Sequence, residues 1–487
     1  MRVVIVNPAY GEDFCRSARW AARSRGRVQR HPDWLLIAAA VLEKAGHTVS
    51  FVEGAALNLS QQVVLQRCRE FRPDLVVIHT TTPSIYSDLD YARQVKQRLG
   101  CLTALVGPHV TAVPDDTFTI ADGAVDFIAR GEYDYTLRDL ADGLSPGTIP
   151  GLSYQQGGVV HHNPDRMPLD VNELPFPAWH HVLPEWYRDG GKRFPFLTLI
   201  SGRGCFGQCT FCRDTHLMYR RKLRLREPRL VVDEIEDDFR RFPYLREIMF
   251  ETDTFTASPR HVDGVCQEIL RRGLKVTWSC NARVDLDLSL LPLMKRAGCR
   301  MLMVGFEFGT QQALDAVRKG IALEQSRRFA HEASRLGFTL HGCFMIGAPH
   351  ETPESALATI DFAKSLPLDT IQISGICTYP GTPLYDWARQ NGYLVPKDWR
   401  EWISPSGEQV TLLSYPNLTK DEIDAYIDRG LRQFYLRPSQ MLRMLLAMRS
   451  LDDLRRKLFG FRSFVQYFTV GRAQGRRQPE VAGRTPR

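Results

Sequence analysis

Twice along this chain, short β-branched runs alternate with longer helical stretches, and a proline-rich segment separates the two series. In residues 1–145 the runs RVVIVNP, TVSFVEG, DLVVIHT, LTALVGP and VDFIARGE alternate with stretches such as PDWLLIAAAVLEKAG, IYSDLDYARQVKQRLG and EYDYTLRDLADG. Over 195–400 the runs LTLIS, LREIMFE, KVTWSCNA, MLMVGFE, LHGCFMIG and TIQISGI are each followed by a helical segment. Such alternation leaves few solutions: parallel strands joined by right-handed crossovers, with helices covering the sheet. The fold class is therefore α/β. The first series predicts a Rossmann-like (flavodoxin-like) open sheet, and the second a partial (β/α)6 barrel of the TIM type.

Residues 146–194 lie between them. GLSYQQGGVVHHNP reads as a hairpin turning on Gly157 and Gly158, and MPLDVNELPFPAW as an extended linker. Beyond Arg400 the rhythm stops. A C-terminal helical region is expected over 401–470, beginning with KDEIDAYIDRGLRQFYLR. The stretch from Arg437 to Phe468 is amphipathic and basic; it reads as a helical cap on the barrel, or as a weak contact with an anionic membrane surface. The tail, 471–487, is rich in Gly, Arg and Pro and reads as disordered.

One loop is chemically distinctive. RGCFGQCTFCRD places Cys205, Cys209 and Cys212 in the spacing Cys-x3-Cys-x2-Cys, with Phe211 just before the last cysteine. Thiolates are preferred ligands of iron–sulfur clusters. Three of them on a [4Fe–4S] cluster leave one iron open to a small molecule. A zinc knuckle is the competing reading, but zinc sites want four ligands, usually in two pairs. The next cysteine is Cys266.

This loop resembles the signature of the radical SAM superfamily, Cys-x3-Cys-x-aromatic-Cys. The resemblance implies a [4Fe–4S] cluster on Cys205, Cys209 and Cys212, with S-adenosylmethionine (SAM) on the open iron. It also implies cofactor contacts at later strand ends: Glu251 and Asp253 in IMFETDTF, Asn281 and Arg283 in TWSCNARVD, Glu307 in VGFEFGTQQALD, and Ile346 and Gly347 in GCFMIGAPHET. Glu251 and Asp253 share a strand face if the strand persists that far. Arg283 is expected to grip the SAM carboxylate, Ile346 to offer an apolar face and Gly347 to let backbone approach adenine. Tyr379 and Tyr385 in TYPGTPLYDWA are expected near the substrate mouth, with Cys377 a candidate radical quencher or ligand.

The first domain is similar to the cobalamin-binding domain that precedes many radical SAM barrels, most visibly in VGPHVTAVPDD and FIARGEYDYTL. Ligands of such sheets bind beyond the C-terminal strand ends. Those ends carry Pro8, Tyr10, Thr80, Thr81, Thr82, Ser84, Gly107, Pro108, His109, Gly131 and Glu132. The motif that would supply a histidine to cobalt, Asp-x-His-x-x-Gly, is absent after the first strand. The alternative is a flavodoxin-like domain that only packs. The loop FCRSARWAARSRGRVQRHPDW leaves this edge and reads as a cover for the corrin, a grip on an anionic substrate, or a solvated basic loop.

The family resemblance implies a class B-like, cobalamin-dependent methyltransferase that methylates an unactivated carbon of a small molecule through a 5′-deoxyadenosyl radical and methylcobalamin. An electron donor such as flavodoxin or ferredoxin is implied, and no nucleic-acid partner. Ring formation or rearrangement without methyl transfer is an alternative, as is a cobalamin-binding regulatory protein. The formal charge of +8 lies mainly in the basic loop and after Arg437. The N-terminus MRVVIVNPAY does not read as a signal peptide, no apolar run approaches about 18 residues, and the cysteines are scattered. A cytoplasmic location is expected.

Overall fold

The computed structural model of the protein describes residues 1–446, apart from Ala18 and Trp20. The readings of the stretch beyond Leu446 and of the 471–487 tail lie outside the described residues.

The first sheet contains β1 (Arg2–Asn7), β2 (Thr48–Glu53), β3 (Leu75–His79), β4 (Leu102–Val106) and β5 (Phe127–Ala129). They run parallel in the order 2-1-3-4-5, which places the switch point between β1 and β3. The hairpin β6 (Leu152–Gln156) and β7 (Val159–His162) joins antiparallel at the edge of β5. From sequence it stands with the linker; in the structure its buried residues Leu152 and Ser153 make it part of the first sheet.

Strand alternation gives the sheet two apolar faces. Val4, Val6, Val76 and Ile78 pack under α2 (Gln61–Phe71) and α3 (Ile85–Leu99). Val3, Ile5, Leu75 and Val77 pack under α1 (Asp33–Lys44) and α4 (Asp134–Ala141). α1 is buried without a break from Leu35 to Leu42. A helix apolar all round has protein all round, and its outer side meets the barrel. Asp33 accepts a 2.5 Å hydrogen bond from Thr198 Oγ1. The same apolar cluster continues through Leu197, Leu199 and Ile235. The two domains therefore share one core.

The barrel strands are β8 (Phe196–Leu199), β9 (Glu247–Phe250), β10 (Trp278–Ala282), β11 (Cys299–Glu307), β12 (Thr339–Ile346) and β13 (Thr370–Gly375). All are parallel and follow sequence order, with β8 and β13 as the two edges. Outside them lie α5 (Pro228–Arg241), α6 (Pro259–Arg271), α7 (Leu323–Arg335) and α8 (Pro353–Ser365), and the chain continues into α9 (Lys420–Tyr435) and α10 (Pro438–Leu446).

The linker is not a free spacer. Trp179, Val182 and Tyr187 are buried, and the Ala178 amide donates to Leu36 O. Its last residues cover the starts of β9 and β11. Arg300 donates to Gly191 O at 2.7 Å, the Arg193 amide donates to Glu247 Oε2 at 2.9 Å, and Lys192 is fully buried beside Met303. The barrel is thus closed at the beginnings of its strands and faces the first domain with their ends. All eleven cysteines are free. Among the described residues no helix is long and apolar enough to cross a membrane.

Candidate active site

The three-cysteine loop leaves β8 through a two-residue antiparallel ribbon, Gly202–Arg203 with Arg224–Leu225. Gly204 has φ +89°, and a Cβ there would lie 2.1 Å from Lys222 O, so only glycine fits. Cys205 and Cys209 are buried and Cys212 is half-buried. A Cβ on Gly207 would lie 3.3 Å from Cys205 Sγ and 3.8 Å from Cys209 Sγ; its absence keeps a cradle between the two sulfurs. Phe211 packs against the barrel core. Burial raises the Cys209 thiol, and raises that of Cys212 to about 11. Coordination by a metal is what would take their protons. Cys212 follows on the same loop, its amide donating to Cys209 O at 3.2 Å, and three thiols on one such loop suit an iron–sulfur cluster with one open iron.

Ion pairs surround the loop. Glu307 pairs with Lys319 at 2.6 Å. It has φ +66°, at a shift of register between Gly305 and Glu307. Gly305 makes room: a Cβ there would meet Glu307 Oε1 at 2.3 Å. Lys319 escaped the sequence reading, because nothing local marks it. Arg283 is committed differently from expectation. Its Nε and Nη2 bond to Asp285, Nη2 also reaches Lys319 O, and Nη1 faces the cysteine cradle. A two-pronged grip on a SAM carboxylate is therefore not available in this arrangement. Asn281 donates to Thr252 O at 3.2 Å.

β9 ends at Phe250, so strand alternation does not reach Glu251 and Asp253. Glu251 turns to Arg30, 3.2 Å away, and Arg30 also holds Asp189 at 3.0 Å. Asp253 Oδ2 accepts from the Gly204 amide at 3.0 Å, fixing the base of the cysteine loop. Burial, with Asp214 adding to it, raises the Asp253 carboxyl to about 6.

Two expectations on β12 are corrected. Thr339, His341 and Cys343 are its half-buried residues, and His341 and Cys343 lie on the side of Arg30, so alternation places Met345 with them and Ile346 on the helix side. Ile346 is fully buried there and has no face to offer a ligand. Gly347 has φ +100° and its backbone is occupied: its amide donates to Glu351 Oε2 at 2.6 Å and its carbonyl accepts from Tyr415 at 2.8 Å. It makes a turn rather than an open edge.

Across the gap lie the strand ends of the first sheet. Gly107 has φ +121°, and a Cβ would lie 2.4 Å from Thr80 O. The structure brings Thr80, Thr81, Thr82, Ser84, Pro108 and His109 together, all buried, but their hydroxyls are largely engaged. Thr80 donates to Val106 O, Thr81 and Ser84 meet at 2.6 Å, and Ser84 bonds Asp88 at 2.7 Å. Arg16 from the basic loop completes that network, 2.5 Å from Asp88. Here the buried nitrogens without a partner among the described residues include His79 Nδ1, His109 Nε2 and Arg16 Nε. Burial lowers both imidazoles to about 3, so they are neutral. His79 went unnoticed in the sequence because it reads as the last residue of a strand. Neutral imidazole nitrogens and a glycine cradle fit a ligand rich in hydrogen-bonding groups, as cobalamin is. Pro8 backs onto Gly54, and the Tyr10 ring lies 4.8 Å from Phe14. Gly131 sits near Met218 O.

Glu132 serves the junction instead of a ligand. With Asp134 it holds the fully buried Arg203, at 3.2 and 2.7 Å, and it also binds Arg224 at 2.9 Å. The residue two before Cys205 is thereby tied to the first domain. The basic loop crosses the same gap. Arg19 donates to the Asp253 carbonyl, Arg25 to Ile373 O and Arg27 to Glu408, while the Arg23 amide donates to Gly407 O. It is a strap over the gap, not a solvated loop.

Cys377, Tyr379 and Tyr385 are buried with Trp402 and Leu412 in a separate small core. Cys377 Sγ accepts from Gln409 at 2.8 Å, and burial pushes its thiol up to about 12. It is held inside that small core by the Gln409 bond. Tyr379 lies under the Arg213 guanidinium at 5.4 Å.

A family model for the radical SAM superfamily matches residues 199–363, and one for the B12 binding domain matches residues 25–141. An uncharacterized methyltransferase of Pyrococcus horikoshii is 31% identical over 408 residues, covering 82% of this chain and 86% of the relative. The anaerobic magnesium-protoporphyrin IX monomethyl ester cyclase of Rubrivivax gelatinosus is 26% identical over 401 residues, covering 79% and 69%. Among solved structures, the radical S-adenosylmethionine methyltransferase TsrM of Kitasatospora setae, bound to tryptophan and a SAM analogue, superposes with a TM-score of 0.69. It is 17% identical, and the match covers 90% of each chain.

Proposed function

The chain belongs to the radical SAM superfamily and carries a B12-binding domain ahead of its barrel, and we propose that it is a cobalamin-dependent methyltransferase acting on an unactivated carbon of a small molecule. The observation that carries this reading is that the cysteine cradle and the glycine–imidazole cradle meet at one junction: Arg203, two residues before Cys205, pairs with Glu132 and Asp134 of the first domain, and Arg213, next to Cys212, is near enough to His79 to help lower its imidazole. Bound there, the cluster with SAM supplies a 5′-deoxyadenosyl radical and cobalamin supplies the methyl group.

The protein's own contribution is placement. Cys205, Cys209 and Cys212 would hold the cluster. Lys319 and Arg283 stand beside those cysteines and offset their charge when metallated. Met345, rather than Ile346, would give the adenine its apolar wall. His79, His109 and the Gly107 turn would hold cobalamin. Arg203 ties the cysteine loop to the first domain and would fix how the two cofactor-holding parts sit together, and the strap from Phe14 to Arg30 would keep water out between them. A one-electron donor such as flavodoxin or ferredoxin would approach beside Cys205, where Phe206 is 46% exposed.

The test is anaerobic reconstitution with iron, sulfide and hydroxocobalamin, then incubation with methyl-labelled SAM and a strong reductant. Expected are a broad absorption near ~400 nm, a retained corrinoid, released 5′-deoxyadenosine and label on cobalamin. Cys209→Ala should lose the iron band and keep the corrinoid. A protein that forms its cluster but retains no corrinoid would sink the proposal. The cyclase relative favours one second reading, ring formation without methyl transfer. It predicts 5′-deoxyadenosine release with no label passing to product.

A further inference from the structure

α1 ends away from the catalytic gap. It leaves β1 and runs back against the strands, so its last turn lies where β2 begins. There Glu43 meets the linker. His180 Nε2 and His181 Nε2 both lie 2.9 Å from Glu43 Oε1, and the two rings are 4.2 Å apart, tilted by 41°.

The backbone fixes where these side chains start. Both histidines belong to one short turn, Trp179–His181, and Ala178, Trp179 and Val182 around them are buried. The Ala178 amide donates to Leu36 O at 3.1 Å, and the Phe51 ring stands 6.3 Å from that of His181. Solvent reaches the cluster from one side only: the side chains of His180 and Glu43 are 49 and 30% exposed, and that of His181 is 15% exposed.

Hydrogen bonding alone uses this arrangement poorly. Two imidazoles share one carboxylate oxygen, and protonating both rings would set two cations 4.2 Å apart. A divalent cation removes that conflict, because it takes a lone pair from each ring and charge from the carboxylate. Burial lowers the His181 imidazole, against the Glu43 hydrogen bond and with His180 adding to the fall. At neutral pH His181 is therefore the unprotonated form, the one that binds metals.

We propose that Glu43, His180 and His181 bind a zinc ion that clasps the linker to α1. Two imidazoles and a carboxylate are a donor set that zinc takes, with water in the remaining positions. With bonds of ~2.0–2.2 Å, donors 2.9 Å apart subtend roughly a right angle at the metal. The exposed edges of His180 and Glu43 leave its outer positions to water.

The clasp is structural. From His181 the linker runs on to Asp189, which holds Arg30 at 3.0 Å, and to Gly191–Arg193, which close the barrel where its strands begin. Zinc at His180 and His181 fixes the start of the segment whose end seals the barrel.

The test uses the protein with its iron–sulfur cluster assembled, so that the three cysteines are occupied. It is dialysed against zinc sulfate, and bound zinc and iron are counted by atomic emission. Expected is one zinc per chain beside an unchanged iron content, with a higher unfolding temperature than without zinc. His180→Ala, at an exposed side chain, and Glu43→Gln should each weaken zinc binding at least about tenfold, and both should keep the cluster absorption. His47→Ala breaks a lone histidine–carboxylate pair with Asp142 at the same end of α1 and should bind zinc as the wild type does. The proposal is overturned if no zinc is bound, if zinc displaces iron, if His180→Ala and Glu43→Gln bind it undiminished, or if His47→Ala loses it as fully as they do. Zinc uptake that leaves the unfolding temperature unchanged overturns the clasp.

Discussion

Lys319 shows what a sequence hides at the scale of single residues. It lies 12 positions from Glu307, yet the two meet at 2.6 Å, buried beside the cysteine loop. Lys319→Met leaves a buried carboxylate unpaired and should cost about 3–5 kcal/mol in urea unfolding. The double variant with Glu307→Gln should recover most of that; equal losses would mean the pair is not coupled. Asp33 makes a second case. Burial raises its carboxyl from 3.8 to about 8, against the Thr198 hydrogen bond and with Glu251 adding to the rise. The folded protein keeps a proton there that the unfolded chain gives up, so stability falls as pH climbs from 3.8 towards 8. Asp33→Asn should flatten that part of the melting curve against pH. An unchanged slope would show that Asp33 is ionised in the fold. The cysteine motif was legible because its spacing is local. The exchange of Ile346 for Met345 was not, because the phase of a strand is set by its neighbours and one residue of slip reverses every side chain.

Elements were legible where their pattern was complete. The strands of both sheets were readable as runs, and the unbroken apolar surface of α1 already required partners on every side. The strap from Phe14 to Arg30 was not readable, since its arginines resemble a solvated loop until Asp253, Ile373, Gly407 and Glu408 are brought to it from more than two hundred residues away. The hairpin after β5 was placed with the linker because local pattern shows a hairpin but not the edge it joins. Among the turns, Gly107 is the most constrained of those bordering the corrin side. Gly107→Ala adds a Cβ 2.4 Å from Thr80 O at a φ that favours glycine. It should cost about 1–3 kcal/mol and loosen corrinoid retention on gel filtration while iron content stays the same. Loss of iron together with corrinoid would mean the damage is global.

At the scale of the whole molecule, the shared core around α1 predicts cooperation between two domains that the sequence separates with prolines. Scanning calorimetry of the apoprotein should show one unfolding transition. Arg203→Ala strands the buried Asp134 in the junction, leaves Glu132 with Arg224 alone, and should lower that transition by about 3–5 kcal/mol, without splitting it. Two resolved transitions in the wild type would show that the domains are independent. The strap carries one more consequence, and it concerns birth rather than catalysis. Its partners include Ile373 and Gly407, which are made more than three hundred residues after its own. Domains fold as they emerge, but this segment cannot take its final seat until most of the chain has been made. The gap between the two sheets is thus closed only late in synthesis, and a chain truncated before Ile373 would lack the groups that hold the strap in place.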